Sequence, residues 1–395
     1  MPTPPGAVLD GVRVLDFGRY LAGPYCAALL GELGAEVIRI ERPQGAEDRA
    51  MVPLAGEAGA MYLAANCGKK SLTLSPKTPM GRDIQRRLLE TADVVVANLP
   101  PAALKTLGID FGTVQEVNPR AIVTTISAFG EGPMAERPGF DGLGQAMSGA
   151  AHLTGFGHPP LRAGVSWVDY GTATMAAMGT LAALMRRQAT GRGEHVQCSL
   201  LHTALAFCQP ALIEQHVLGQ DRQPLGNRSH LAAPSDIFET SDGWVMVYAV
   251  GDAMFARWAE MIGEKEQWLA DARFQDDHMR GRNSAVISER MASWTRELTT
   301  EQVLDEAARW RLPAAPVYSP RQALADADLM GSARVANQAY PGLPGGFPHV
   351  PLPATLSGSS PVGRPPQLGE HTDNILAGLG FSAADIEAAR HSGAT

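Results

Sequence analysis

The chain has 395 residues, of which 45% are hydrophobic and 19% are charged, a composition typical of two or three globular domains and not of a disordered chain. It carries 33 basic and 41 acidic residues, a net charge of −8, which argues against nucleic acid or an anionic membrane as a partner. Its apolar runs are short or interrupted by polar residues, so we expect no membrane span. Residues 1–6 do not resemble a secretory leader, and the four cysteines lack CxxC spacing. The sequence therefore predicts a cytoplasmic, reduced protein.

Strands and helices alternate over the first third of the sequence. Residues 12–16 read as a short buried strand, Pro24 opens a helical run that stops at Gly34, and residues 36–41 read as the next strand. Further strands are predicted at 71–74, 93–97 and 121–126, with a helix after Thr78. This alternation predicts an open, doubly wound α/β sheet with right-handed crossovers.

The remainder of the chain has a different pattern. Residues 171–185 predict a helix that is apolar on nearly all sides and is therefore expected to be fully buried. A strand at 195–199 and a helix at 200–218 follow, and then a polar stretch, a hairpin around residues 241–243 and helices with a capping-box pattern at Thr299 and Gln302. Residues 341–366 contain eight of the 29 prolines and predict an extended segment outside the core, before a last helix at 383–391.

Several residues lie where a ligand would be expected. Open α/β sheets bind ligands beyond the carboxyl ends of their strands, where this sequence places the segment 19–23, Arg42, Lys77 and Asn98. Arg42 and Lys77 at one edge would form an anion site suited to phosphates. By spacing alone, two solvated surface cations are the favoured interpretation of Arg42 and Lys77.

Familiar motifs of other enzyme classes do not match. A nicotinamide dehydrogenase is disfavoured because residues 17–23 lack the GxGxxG fingerprint, although Glu41 ends the second strand where a ribose-binding acid belongs. Residues 67–71, Cys-Gly-Lys-Lys-Ser, look like a phosphate loop, but the serine stands one place late and the upstream glycine is missing. Neither HExxH nor GxSxG occurs, so no metal site is expected, and Cys26 fits the core better than a nucleophile.

Asp169 is the carboxylate with the most suggestive surroundings. It starts a buried helix, among small residues that leave room for a ligand: Gly164, Ser166, Gly171 and Thr172. One interpretation is a helix cap, since aspartate favours that place and complements the helix dipole. The other is a carboxylate nucleophile at the mouth of a pocket, with backbone N–H groups of the helix start stabilising an oxyanion.

Seven short motifs are spread over nearly the whole chain. They are residues 9–17, 22–24, 34–43, 66–71, 118–120, 190–193 and 368–372. Together they resemble the family III CoA-transferases, the group of formyl-CoA transferase, carnitine CoA-transferase and α-methylacyl-CoA racemase. The family's nucleophilic aspartate falls on Asp169.

The resemblance implies a fold and an assembly. The fold is α/β, with a Rossmann-like large domain and a small α+β domain, in an interlocked, ring-shaped homodimer. On this chain the large domain would cover residues 1–205, completed by about 345–395. A linker would follow at 206–225, then the small domain at 226–325 and a return segment at 326–395 that packs on the large domain.

The resemblance also implies CoA contacts. They fall on Tyr20, Leu21, Ala22, Arg42, Leu74, Lys77, Asn98 and Leu99. Where formyl-CoA transferase has an arginine near the CoA phosphates, this chain has Thr106, and we expect the neighbouring Lys105 to take its place. Coenzyme A would be a substrate and not a permanently bound cofactor.

The activity implied is transfer of CoA from an acyl-CoA to a carboxylic acid through aspartyl-anhydride and aspartyl-CoA intermediates. In the racemase branch, a Gly-His-Asp motif supplies an acid/base histidine, and this chain has Phe140 at that place. Racemisation and CoA binding without catalysis are therefore the alternatives. A loop of the small domain carries Arg228 and His230, which would meet the second carboxylate of a dicarboxylate such as succinate unless the loop is only a linker. Arg162 is a similar candidate.

Overall fold

The computed structural model describes residues 6–56, 58–354, 356 and 362–395, and the chain divides into two compact units. The first unit contains residues 6–149, 163–213 and 331–395, and the second contains 150–162 and 214–330. Residues 1–5, on which the expectation of no leader rests, lie outside the described residues, as does part of the proline-rich segment.

The first unit is built on a parallel sheet of six strands. The strand order is Lys70–Thr73, Glu36–Glu41, Arg13–Asp16, Val94–Ala97, Ile122–Ser127 and His195–Ser199. Every adjacent pair is parallel, which confirms the α/β fold and the strands expected from the sequence. Strand order reverses on either side of the first strand, so a crevice opens between the ends of Arg13–Asp16 and Val94–Ala97.

Both faces of this sheet are buried. Along the strand Val94–Ala97, alternate side chains point to opposite faces, so Val95 and Ala97 join one hydrophobic cluster while Val94 and Val96 join the other. Leu376 and Ile386, near the end of the chain, pack in the first cluster. The last two helices therefore belong to the core of the first unit.

Helices cover the sheet on both sides. The α-helices of the first unit are Ala22–Glu32, Ala60–Ala65, Pro79–Glu90, Pro101–Leu107, Phe111–Val117, Asp141–Met147, Trp167–Thr190, Leu200–Phe207, Thr372–Gly378 and Ala383–His391. A 3-10 turn covers Glu47–Ala50, and two small hairpins pair Leu54–Ala55 with Ala58–Gly59 and Ala336–Tyr340 with Leu343–His349.

The second unit has a three-stranded antiparallel sheet, Ala314–Pro316, Trp244–Tyr248 and Ser235–Glu239 in that order. The predicted hairpin and the capping box at Thr299 and Gln302 are confirmed. Its core surrounds the fully buried Trp258. Its helices are Gln209–Leu218 (begun in the first unit), Asp252–Met261, Lys265–Ala270, Asp277–Arg282, Ser284–Thr295, Thr300–Arg309, Pro320–Ala325 and Ala327–Ser332, with short turns at Ala150–Leu153 and Ala272–Phe274.

Three expectations about helices and loops are wrong. The helix predicted at 171–185 runs from Trp167 to Thr190, and it is not buried on all sides, because Met178 is 61% and Met185 is 72% exposed. The helix predicted at 200–218 is interrupted at Cys208, just before Pro210. Residues 341–366 were expected outside the core, but the strand Leu343–His349 lies there and buries Phe347. No helix among the described residues is long and apolar enough to cross a bilayer.

Candidate active site

The crevice at the strand reversal is shaped by the loop that follows the first strand, residues 17–21, which we call the rim loop. The Asp16 carboxylate accepts a hydrogen bond from Gly18 N at 2.8 Å. From the neighbouring strand end, Asn98 Oδ1 accepts from Arg19 N at 2.7 Å and Asn98 Nδ2 donates to Arg19 O at 2.8 Å. The Asn98 side chain thus connects the two strand ends, because its amide both accepts from and donates to the backbone of the rim loop.

Buried charges support the rim loop from below. Lys69 Nζ lies 2.8 Å from Asp16 Oδ2 and donates to Pro24 O at 2.6 Å. Arg39 binds both carboxylate oxygens of Asp48, at 2.8 and 2.9 Å. Burial alone would raise the pKa of Asp16, but the neighbouring Lys69 and Arg39 cations hold it below its usual value. The charges therefore compensate one another in the interior.

A cleft of about 710 Å³ opens on one side of the rim loop. Four predicted CoA contacts line it: Arg42, Leu74, Lys77 and Leu99. Arg42 donates to Gly45 O at 2.7 Å and to Glu47 at 3.0 Å, so an incoming phosphate would compete with Glu47. Within the described residues, the Lys77 ammonium forms no ion pair, and the structure therefore offers it directly to an anion.

Thr106 stands where formyl-CoA transferase has an arginine, and Lys105 was the residue expected to replace that arginine. Thr106 lines the larger cleft, whereas the Lys105 side chain is exposed and is not among the residues that line this cleft. The contact expected of Lys105 stays a prediction.

A smaller cavity of about 240 Å³ lies on the other side of the rim loop. It brings Asp169 together with the remaining predicted contacts, and Arg19 and Leu99 line both cavities. The predicted residues on its wall are Tyr20, Leu21, Ala22, Asn98 and Leu99. The larger cavity carries the cations Arg42 and Lys77, and the smaller one carries the Asp169 carboxylate. Because the two cavities share wall residues, this arrangement suits an extended ligand with an anionic head.

The helix cap at Asp169 is provided by another residue. Asp169 is the third residue of the helix Trp167–Thr190, whose N-cap Ser166 makes no side-chain cap. Instead Asp141 Oδ1 accepts hydrogen bonds from Val168 N at 2.8 Å and Asp169 N at 3.1 Å. The interpretation of Asp169 as a cap is therefore wrong, because Asp141 satisfies these N–H groups and leaves the Asp169 side chain free.

Burial and a like charge act on the Asp169 carboxyl. It has no hydrogen-bond or ion-pair partner among the described residues, and burial, followed by the nearby Asp141 carboxylate, raises its pKa from 3.8 to about 7. A carboxylate of raised basicity that no donor holds is suited to nucleophilic attack at neutral pH.

The expected oxyanion donors are not available. Val168 N and Asp169 N donate to Asp141, Trp167 N donates to Val165 O at 2.9 Å, and Tyr170 N donates to Ser166 O at 3.2 Å. The first turn of the helix has thus used its N–H groups, and the expectation that they stabilise an oxyanion is wrong.

Sequence reasoning missed Arg137, which lines the Asp169 cavity, and Asp141, which caps the Asp169 helix without lining that cavity. An aspartate after Pro138-Gly139-Phe140 at a helix start is a cap signal, but nothing in the sequence shows that it caps a distant helix. The candidates Arg162, Arg228 and His230 all belong to the second unit, where His230 Nε2 lies 3.1 Å from Gln223 O. In the described ranges no cluster of His, Cys, Asp and Glu is arranged to hold a metal ion.

Known proteins resemble this chain over nearly its full length. The chain matches the family described as CoA-transferase family III over residues 9–372. It is 34% identical over 394 residues to succinyl-CoA–D-citramalate CoA-transferase of Chloroflexus aurantiacus, covering 97% of this chain and 96% of that protein. It is 31% identical over 376 residues to succinyl-CoA:glutarate CoA-transferase of Mus musculus, covering 93% and 85%. The crystal structure of a CAIB/BAIF family protein from Brucella suis matches with a TM-score of 0.83 and 29% identity, covering 95% of this chain and 100% of that one.

Proposed function

The chain belongs to CoA-transferase family III, and from that premise we propose that it transfers CoA from an acyl-CoA to a dicarboxylic acid through covalent intermediates on Asp169. The observation that carries this proposal is the Asp169 carboxylate, which no described residue binds, in a cavity that shares wall residues with the cleft of Arg42 and Lys77. The nucleotide phosphates would lie near Arg42 and Lys77, and the thioester would reach Asp169 past Leu99.

The chemistry proceeds by exchange of acyl groups. An Asp169 oxygen attacks the thioester carbonyl carbon, the C–S bond breaks, and CoA leaves as a thiolate, which gives an aspartyl-acyl anhydride. The thiolate then attacks the Asp169 carbonyl carbon and releases the donor acid, which leaves an aspartyl-CoA thioester. The acceptor carboxylate runs the two steps in reverse, so the energy of the thioester is conserved.

The rim loop has a positioning role in this mechanism. Tyr20, Leu21 and Ala22 line the Asp169 cavity, and Asn98 holds the backbone of Arg19, which directly precedes them. A pantetheine chain has few charges, so an apolar wall with backbone groups suits it. Holding the thioester beside Asp169 turns the attack into an intramolecular step.

Racemisation is less well supported. It needs a second proton-transfer group opposite Asp169. Phe140, which stands where the racemases have histidine, is 63% exposed and packs edge-on against Tyr20 with ring centroids 5.7 Å apart. No histidine is among the described residues that line the Asp169 cavity.

The names of the relatives indicate the class of acid. Citramalate and glutarate, which appear in the names of two relatives, are both dicarboxylates, and succinyl-CoA is the named donor of both. We therefore propose that this chain also uses succinyl-CoA as its CoA donor and a dicarboxylate as its CoA acceptor. Arg228 and His230 remain our candidates for the second carboxylate.

We further propose the interlocked homodimer, the domain boundaries and the cytoplasmic location that the resemblance implies. The homodimer has one independent support in the first unit. The side chains of Met175, Met178, Met185, Phe207 and Ile213 are exposed on consecutive helices, and a subunit interface would remove this apolar surface from water. Light scattering behind size exclusion would find a dimer, whereas a concentration-independent monomer would refute it.

Intact-protein mass spectrometry tests the function. After incubation with succinyl-CoA, the wild type should gain the mass of CoA, hydroxylamine should remove it, and Asp169→Ala should not acquire it. Should several acyl-CoA donors leave the wild type unmodified, the transferase mechanism is refuted. Exchange of the α-proton in deuterated water would then indicate a racemase.

A further inference from the structure

Asp141 connects two helices of the first unit at the reacting carboxylate. It is the first residue of the helix Asp141–Met147 and lies in the interior, only 6% exposed. One carboxylate oxygen accepts from Val168 N and Asp169 N, and the other accepts from Gln145 Nε2 at 2.5 Å. Its negative charge is thus fixed in place on the backbone side of Asp169.

Other charged groups face Asp169 from the elements packed around it. Two arginines and three tyrosines lie on the wall of the Asp169 cavity or beside the first turns of the Asp169 helix. Among the described residues, none of them forms an ion pair or a hydrogen bond with the Asp169 carboxylate. They are Arg19 and Tyr20 of the rim loop, Arg137 of the loop before Asp141, and the Tyr25–Tyr170 ring pair. Arg19 already lies 3.6 Å from Glu47. Asp141 is therefore the charge whose position relative to Asp169 is set by direct hydrogen bonds.

We propose that Asp141 is a positioning residue for CoA transfer, whose carboxylate fixes the first turn of the Asp169 helix and also drives the Asp169 carboxylate toward its uncharged, acylated state. This inference rests on the proposed covalent function. When acyl-CoA and enzyme exchange groups, Asp169 changes from an anion to a neutral thioester, and the negative charge leaves with the released donor acid. The repulsion between Asp141 and Asp169 is relieved in that change, so Asp141 favours the aspartyl-CoA form.

Protonation relieves the same repulsion, which makes the inference quantitative. The pKa of Asp169 is raised from 3.8 to about 7, with burial the larger cause and Asp141 the smaller. Asp141 therefore accounts for less than half of a rise of about three pH units, which is at most a factor of about 30 in an equilibrium constant. Because protonation and acylation both remove the charge of Asp169, Asp141 should change both equilibria by about the same factor.

The test is Asp141→Asn, with two measurements on one preparation. Intact mass gives the fraction of aspartyl-CoA enzyme at fixed ratios of succinyl-CoA to succinate, at a pH above 8 where Asp169 is ionised. The rate of adduct formation against pH gives the midpoint of its acidic limb. We expect the adduct equilibrium to fall between about threefold and 30-fold and the midpoint to move to lower pH by the logarithm of that factor.

A second variant protects the test against misfolding. In Asp141→Asn/Gln145→Glu, the asparagine amide can donate to the new glutamate, which can still accept from Ala163 N, as Gln145 Oε1 does now at 2.8 Å. The negative charge is restored one side chain further from Asp169, so both measured values should return part of the way to wild type. Asp110→Asn is the matched control, since Asp110 caps another helix through Thr113 N at 3.2 Å and should change neither value.

The possible outcomes separate the inference from the proposed function. A wild type that forms no hydroxylamine-sensitive CoA adduct contradicts the proposed function. If the wild type forms the adduct but the variants keep its equilibrium and its pH midpoint, Asp141 is only a structural cap and the inference is wrong. A lower rate with an unmoved midpoint leads to the same conclusion.

Discussion

Replacing Asp169 by asparagine should make the protein more stable at neutral pH while abolishing CoA transfer. An aspartate usually ionises with a pKa of 3.8, but burial and the Asp141 charge raise the pKa of Asp169 to about 7 in the folded chain. Between pH 3.8 and about 7, Asp169 therefore keeps its proton in the folded chain, whereas in the unfolded chain it has lost that proton. The stabilisation of the folded state by this proton is complete below pH 3.8 and is lost as the pH rises through about 7.

The size of the effect follows from the two pKa values. The difference between 3.8 and about 7 corresponds to about 4 kcal/mol of unfavourable free energy for the ionised carboxylate. Asparagine is neutral at every pH and similar in shape. Asp169→Asn should therefore gain about 4 kcal/mol at pH 8, about half as much near pH 5.5, and almost nothing at pH 4.

Urea unfolding at these three pH values, at one protein concentration, measures the gain. Asp110→Asn serves as the control with the opposite sign, because the hydrogen bonds from Thr113 lower the pKa of Asp110, and its loss should destabilise the protein above pH 4. Equal stability of wild type and Asp169→Asn at pH 8 would refute the reasoning. So would a gain that does not change with pH, since it would then come from packing.

Four further substitutions test the charges around the rim loop. Lys69→Met leaves the buried Asp16 carboxylate without its nearest cation and should lower the free energy of unfolding by about 3–5 kcal/mol in a urea titration. Lys77→Ala removes an exposed cation of the larger cleft and should raise KM for succinyl-CoA about tenfold without lowering kcat. Thr106→Arg should tighten CoA binding several-fold by calorimetry, and Lys105→Ala, which removes the cation expected to replace that arginine, should weaken it by about tenfold.

Opposite results would contradict each assignment. An unchanged unfolding curve for Lys69→Met would mean that its charge is compensated elsewhere. A fall in kcat with constant KM would remove Lys77 from the phosphate site. An unchanged CoA affinity on Lys105→Ala would show that the lysine has not taken over the arginine contact.

Local patterns in the sequence predict much of this site. Strand ends can be read from apolar runs, and a parallel sheet brings those ends to one edge. The sequence alone therefore assigns Arg42, Lys77 and Asn98 to a common rim. The capping box at Thr299 was equally accessible, because its hydrogen bonds connect residues only three positions apart.

Contacts between distant segments are what the sequence does not reveal. Asp141 caps a helix that starts 26 positions later, at Trp167, and no spacing rule connects the two. The length of that helix was underestimated because Trp167 and Val168 look like the end of an apolar strand. Its exposed methionines were expected to be buried, since composition shows that a face is apolar but not what covers it.

Residues 66–71 support the proposed phosphate-binding cleft without lining it. By spacing these residues fail as a phosphate loop, and in the fold Lys69 indeed turns into the interior, 2.8 Å from Asp16 Oδ2 and 2.6 Å from Pro24 O. Asp16 ends the first strand and Pro24 lies in the first turn of the following helix, so one ammonium group binds both ends of the rim loop. A methionine would fill the same space but could not hold these two oxygens together. Lys69 therefore contributes to the proposed CoA site through the position that it gives the rim loop. This explains its place in a family motif although its side chain is buried away from the cleft.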